Sequence, residues 1–306
     1  MRRALPVVLL AAAALAAAPL RVAAWGFPAH RHVADRMIEL LPEALRPLYE
    51  ARRAFIVDRS IDPDLWRNVG WEDEPPNHFL DLDFEAYGRY PFEALPREYD
   101  QAVQKFGRAV VHEQGLLPWR TAEFHGRLQR AFASLSRPSP SPYVLDDIAL
   151  FSAVLCHYVS DGHVPLHAVK NYDGLLTGQP GAHSRFEAEL FERFAGELRV
   201  VPTPQPPVTD PRGEMFRILL ASQRLADPVL AADRAAAAGR DYYDDAFFAA
   251  FKSQALPILD QRVADAVAAT AAFITGAWEQ AGKPAVPTRL TRSPRRVPKP
   301  SPPPGR

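Results

Sequence analysis

Apolar side chains recur at three- and four-residue intervals along most long stretches of the chain. Val33, Met37, Leu40 and Leu41 carry the pattern early, residues 148–159 carry it in the middle, and residues 263–278 carry it late. This spacing lays a stripe along one face of a helix, whereas the strict alternation of a half-buried strand is nearly absent. The 31 prolines gather mostly in connections such as 138–142 and 202–211, where they end helices or forbid them. The pattern predicts an all-α fold of about seven or eight helices joined by Pro-rich loops, with a long irregular stretch over 59–96. No internal repeat is evident.

A chain of 306 residues that is 47% apolar can bury one substantial core, and a single mainly helical domain is expected. Its first 24 residues have the layout of a secretory signal. Arg2 and Arg3 precede an apolar run from Ala4 to Leu20, and the small residues Val22, Ala23 and Ala24 follow. Cleavage after Ala24 would make Trp25 the first residue of a secreted or periplasmic protein. The run is Ala-rich, carries Pro6 and Pro19, and falls short of the ~20 apolar residues of a membrane span. No later segment is apolar enough to span, so the mature chain is expected to have no transmembrane segment.

Charge changes the picture once the ends are set apart. The formal net charge is zero, with 36 basic and 36 acidic side chains. Removing 1–24 takes away Arg2, Arg3 and Arg21. The stretch 283–306, rich in Pro, Ser and Arg, holds Lys283, Arg289, Arg292, Arg295, Arg296, Lys299 and Arg306 and no acid. It is expected to be a disordered tail, either simply solvated or in peripheral contact with an anionic surface. The body over 25–282 is left with 26 basic and 36 acidic side chains, a surface that repels polyanions rather than steering them in. The single cysteine, Cys156, excludes disulfides and thiolate zinc sites, and a lone helical cysteine reads as a small buried hydrophobe.

Three of the nine histidines fall in one short run, Cys156-His157-Tyr158-Val159-Ser160-Asp161-Gly162-His163-Val164-Pro165-Leu166-His167. On a helix, His157 and Asp161 leave the same face one turn apart and can share a divalent ion. Gly162 and Pro165 should end or bend that helix before His167. His183 and Glu187 form a second i, i+4 pair. In a chain without thiolates, two such pairs suit imidazole and carboxylate coordination of zinc.

Read with its neighbours, this set resembles the zinc-dependent phospholipase C family and the related fungal single-strand-specific nucleases, mostly helical secreted phosphodiesterases with a three-zinc cluster. The resemblance runs from Trp25-Gly26-Phe27-Pro28-Ala29-His30, through Asp62-Pro63-Asp64-Leu65-Trp66-Arg67 and His78-Phe79-Leu80-Asp81, to Glu187. It implies a buried cluster of three Zn2+ ions. One would be held by Asp64, His78, His157 and Asp161, a second by His167, His183 and Glu187, and a third by the amine and carbonyl of Trp25 with His30 and Asp161. An α-amino group, with a pKa of about 7.7, loses its proton to a metal readily. Asp161 would bridge two ions. The implied chemistry is in-line attack on phosphorus by zinc-activated water, with Asp64 orienting or deprotonating it and Arg67 stabilising charge on the phosphoryl group.

Several readings stay open at this level. Asp62 competes with Asp64 and His32 with His30, in each case off the matching spacing. His163 is either a support to its ligand neighbours or solvent-exposed, and His112 and His125 fit no motif. Arg67 alternatively forms a surface salt bridge. Phe79 either contacts substrate, stacking on a base or packing against a lipid headgroup, or belongs to the core. Substrate features are mixed: Glu187 and Pro165-Leu166-His167-Ala168 resemble the phospholipase branch, whereas the Trp25 to His30 interval and Arg67 resemble the nucleases. Pro28, Leu65 and Pro75 stand where choline-preferring phospholipases cage the quaternary ammonium, and they offer no aromatic face or carboxylate. The expectation is a monomeric phospholipase C-type phosphoric diester hydrolase. The alternatives are a zinc-dependent single-strand nuclease acting on nucleic acid and a non-catalytic zinc-binding protein.

Overall fold

The computed structural model describes residues 26–290, except the side chain of Arg67. The proposed signal segment, Trp25 and residues 291–306 lie outside the described residues. Within them the protein is all-α, with no strand. The helices are α1 (Phe27–Met37), α2 (Arg46–Ala51), α3 (Arg53–Arg59), α4 (Asp62–Trp66), α5 (Tyr99–Phe106) and α6 (Arg108–Glu113). They are followed by α7 (Leu117–Ser134), α8 (Val144–Gly162), α9 (Ala182–Ser184), α10 (Leu190–Phe194), α11 (Pro211–Ala237) and α12 (Asp245–Gln280). The excess over the expected number comes from helices of one or two turns, too short to show a periodic stripe.

The core is built around α8, which packs on α7, α1, α3 and α12, while α11 crosses α7, α12 and the 3-10 turn Pro165–Ala168. From Ser152 to Gly162 every residue of α8 is buried, as expected of a helix that is apolar on nearly all sides. Phe132 of α7 and Phe251 and Phe273 of α12 are fully buried, and each such side chain contributes about 1.5–3 kcal/mol. The helix ends where Gly162 and Pro165 said it should. A Cβ at Gly162 would lie 2.4 Å from Met215 Sδ, so glycine is what lets α11 approach so closely.

The two longest helices are capped by carboxylates: Asp210 accepts from Gly213 N at 3.0 Å and Asp244 from Phe247 N at 2.8 Å. They also contain prolines that the loop-centred reading did not place in helices. Pro228 lies inside α11 and Pro257 inside α12. Both are exposed, as are Arg224 and Ser253 four residues earlier, so water can reach the carbonyls that each proline leaves unpaired.

The stretch 59–96 carries only α4 and 3-10 turns, including Pro75–His78, as its proline content implies. Past Gly282 the chain still touches the body: Trp278 Nε1 donates to Pro284 O at 2.9 Å, and Val286 and Leu290 pack against the core. The charge-based boundary at 283 therefore precedes the end of the packed chain.

Candidate metal centre

The C-terminal half of α8 delivers His157 and Asp161 to the interior, both fully buried. His157 Nδ1 donates to Ser60 O at 2.8 Å, which leaves Nε2 as the nitrogen facing inward. That Nε2 lies 3.3 Å from Asp161 Oδ2 and 3.1 Å from His78 Nδ1. His78, at the end of its 3-10 turn, places Nδ1 2.9 Å from Asp161 Oδ2 and 3.7 Å from Asp64 Oδ1. His30 of α1 stacks on the His157 ring at 4.0 Å and brings Nε2 to 3.4 Å from Asp161 Oδ1.

A third set lies across Asp161. His167 Nδ1 donates to His78 O at 2.7 Å, turning Nε2 toward Glu187 Oε2 at 3.5 Å. His183 Nε2 is 2.8 Å from the same oxygen. This pair was expected on a regular α-helix; instead Glu187 sits in a π-helical turn, Arg185–Glu189, between α9 and α10. Such turns recur at functional sites. A buried clamp holds the segment: Arg185 Nε and Nη2 donate to Asp233 of α11 at 2.7 and 3.0 Å, and Gln179 Nε2 donates to the same carboxylate at 2.8 Å. Gly26, buried, lies against Ala188 beside Glu187, and a Cβ there would meet Ala188 Cβ at 2.9 Å.

The fit of this set to metal ions shows in what these atoms lack. His30 Nε2, Asp64 Oδ2, Asp161 Oδ1, His167 Nε2, His183 Nε2 and both Glu187 oxygens are buried with no hydrogen-bond partner. Lone pairs aimed at one another in a dry interior repel unless a proton or a metal cation stands between them. The donors fall into three groups able to hold metal ions: His30, His157 and Asp161; Asp64, His78 and His157; and His167, His183 and Glu187. His157 thus enters two groups, where the resemblance implied it for one, and Asp161 enters one, where the resemblance implied two, although its Oδ2 also lies 2.9 Å from His78 Nδ1 of the neighbouring group. Among the protein groups alone, burial holds the His30 and His183 imidazoles down at about 4 and pushes Glu187 up to about 8, whereas for His157 burial is outweighed by Asp161 and Asp64, which raise the ring to about 9. Burial would raise Asp161 as well, but His157 and then hydrogen bonds from the surrounding imidazoles hold it well below the ordinary carboxylate range. The His30 and His183 rings are thus ready to bind as neutral imidazoles, and His157 and Glu187 would give up their protons to a cation on binding.

A cleft of about 410 Å³ opens onto the cluster and is lined on its floor by Asp64, His78, His167 and His183. Phe79 lines its wall, and Gly115 is what keeps it there. A Cβ at Gly115, whose φ is +105°, would overlap Phe79 O at 2.2 Å. Glu74, Asp81, Glu113, Lys170 and Tyr172 complete the wall. Burial, then Asp83, raises Asp81 to about 7. Reading by spacing missed Glu74, Lys170 and Tyr172, because residues brought together by turns carry no periodic signal; Asp81 lay within the His78 motif but was given no role.

The remaining candidates sort plainly. Asp62 pairs with Arg59 at 2.6 Å, and His32 meets Phe191 edge-on at 5.8 Å; neither joins a ligand group. His163 is buried rather than exposed, with Nδ1 donating to Val159 O at 2.7 Å. His125 is buried against Phe273. Cys156 is buried too, and burial pushes its thiol up to about 12. The α-amine of Trp25 and the Arg67 side chain lie outside the described residues.

Comparison of the chain with protein-family models and with curated proteins finds no match. Fold and site together define an all-α protein with three adjoining buried His/carboxylate groups able to hold metal ions.

Proposed function

We propose that this protein is a secreted zinc-dependent phosphoric diester hydrolase of phospholipase C type. The observation that carries the reading is the convergence of eight buried or cleft-floor ligand side chains, from His30 to Glu187, on one cluster that opens into a substrate-sized cleft. The chemistry zinc supplies in such a site is neutralisation of phosphoryl oxygens and activation of water. Asp64 lies at the cleft floor with Oδ2 free of any protein partner, suited to orient the attacking water and accept its proton. His157 and His167, each tied through Nδ1 to a backbone carbonyl, have their Nε2 atoms fixed toward the cluster and hold the ligand geometry.

The cleft walls favour a lipid over a polynucleotide. Glu113 and, once ionised, Asp81 line them; Glu74 is paired with Arg120 at 3.2 Å, and the basic side chain among them, Lys170, is engaged with Glu85 at 3.1 Å. Single-stranded nucleic acid is ordinarily tracked by a positively charged groove. One observation favours the nuclease as second reading: Phe79 stands in the wall where a base could stack.

Purified mature protein loaded with zinc should be assayed side by side on phosphatidyl lipids and on single-stranded DNA and RNA. Release of phosphorylated headgroup with intact oligonucleotides is the expected result. Cleavage of oligonucleotides alone would transfer the assignment to the nuclease branch, and inertness toward both with metal bound would overturn hydrolysis.

A further inference from the structure

Glu74 is buried to 3% exposure in a stretch, 67–96, that carries only 3-10 turns, yet it is surrounded by donors. Its Oε2 accepts from Asn77 Nδ2 at 3.1 Å and from Arg120 Nη2 at 3.2 Å. Its Oε1 accepts a short hydrogen bond from the phenol of Tyr158, and Arg120 Nε in turn donates to that phenol at 3.2 Å. The same Oε1 lies 3.6 Å from His78 Nε2, the ring nitrogen turned away from the metal-ligand cluster. That separation exceeds a hydrogen bond but is well within the range of a strong charge–dipole interaction.

The other side of the His78 ring faces two carboxylate oxygens and a second imidazole. Nδ1 lies near Asp161 Oδ2, His157 Nε2 and Asp64 Oδ1. A neutral imidazole has one N–H and one lone pair, so two tautomers compete. With the proton on Nδ1, the ring would donate to Asp161 and turn its lone pair on the Glu74 carboxylate. With the proton on Nε2, the N–H dipole points at Glu74 and the Nδ1 lone pair is free for a cation. Three donors already hold Glu74 in place, so the carboxylate is rigid at the moment this choice is made.

We infer that Glu74 is a positioning residue for the metal centre: it selects the Nε2–H tautomer of His78 and thereby readies Nδ1 as a ligand in the group shared with Asp64 and His157. The network extends the choice outward. Tyr158 is the neighbour of His157 on α8, and Arg120 belongs to α7, so the same carboxylate ties the irregular stretch bearing His78 to the two helices behind it. Arg120 and Glu74 also line a depression with Trp71 and Asn77 on the outer side of this wall.

The inference rests on the metal-binding reading of the cluster, and its test separates the two. Zinc stoichiometry and affinity should be measured by chelator competition on the full mature chain and on Glu74→Gln, with the His78 tautomer read by nitrogen-15 NMR. Gln keeps an oxygen for Tyr158 but offers His78 an amide in place of a carboxylate. The wild type should show the Nε2–H form, and E74Q should weaken one zinc by about 10–100-fold while the ion at His167, His183 and Glu187 is retained. An E74Q protein whose zinc affinities lie within about twofold of the wild type and whose His78 keeps the Nε2–H form overturns the inference. A wild type that takes up no zinc overturns the metal reading and this inference with it. If E74Q does not fold, Tyr158→Phe, which frees the carboxylate to move, should weaken the same zinc by about tenfold or less; unchanged affinity and tautomer there overturn the role.

Discussion

Two His/carboxylate pairs with the same four-residue spacing serve this cluster, and they are held in different ways. His157 and Asp161 sit on α8, whose position is set by burial among α1, α3, α7 and α12. His183 and Glu187 sit on a short segment with a π-helical turn, which buries Ala182, Phe186, Leu190 and Phe191 in the core and is braced in addition by the buried Arg185–Asp233 ion pair. Both pairs end with buried atoms facing one another. The lesson is that spacing delivers a pair to one side of a segment, whereas what fixes that segment differs: apolar burial of a long helix in one case, apolar burial of a short segment joined to a directional buried ion pair in the other.

The sharpest way to break the comparison is Asp161→Asn. It removes the charge that faces His30, His157 and His78, ligands of two adjoining groups, so repulsion between ions held there would go unscreened. Elemental analysis should show a shortfall of more than one zinc per chain against about one for His183→Ala, and hydrolysis should fall by several orders of magnitude. Full zinc and near-normal turnover in Asp161→Asn would remove its central role. An N-terminal extension before Trp25 comes next. It should delete one ion and most activity by blocking the α-amine, and equal zinc content in the extended and native-start proteins would remove that ligand.

Asp233→Ala probes the braced pair. Leaving Arg185 buried and unpaired should cost about 3–5 kcal/mol in chemical denaturation, and should weaken zinc at His167, His183 and Glu187 while sparing the group on α8. Equal weakening of both would mean that the clamp stabilises the whole fold rather than one segment.

His125 on α7 tests the apolar side of the comparison without touching a ligand. Burial holds its imidazole down at about 4, against an ordinary 6.5. Because the folded value is depressed, its contribution is present above pH 6.5 and is lost as pH falls through 4. The metal-free wild type should lose about 2–3 kcal/mol more than His125→Gln between pH 7 and pH 4. Identical acid profiles would show that His125 remains hydrated. The smallest effect is expected at Phe79→Ala. Under the nuclease reading it should weaken oligonucleotide binding by ~1–3 kcal/mol through lost stacking, and under the phospholipase reading oligonucleotides remain intact in both proteins.

Much of this protein was legible from residues alone. The periodic apolar stripes implied the all-α fold, because a buried helix face needs that spacing whatever its partners. The end of α8 followed from Gly162 and Pro165, since their backbone preferences act locally. His157 with Asp161, and His183 with Glu187, followed from one turn of helix. Local chemistry of this kind depends only on neighbours in the chain. Tertiary structure decided what depends on distant ones. It buried His163 and His125, joined His157 to two ligand groups, placed Glu187 in a π-turn braced by Asp233, and kept Pro228 and Pro257 inside long helices where exposed carbonyls could meet water. Glu74 is the clearest case: a carboxylate in a Pro-rich stretch has no periodicity to betray it, and its place behind His78 exists only because α7 and α8 bring Arg120 and Tyr158 to the same point in space.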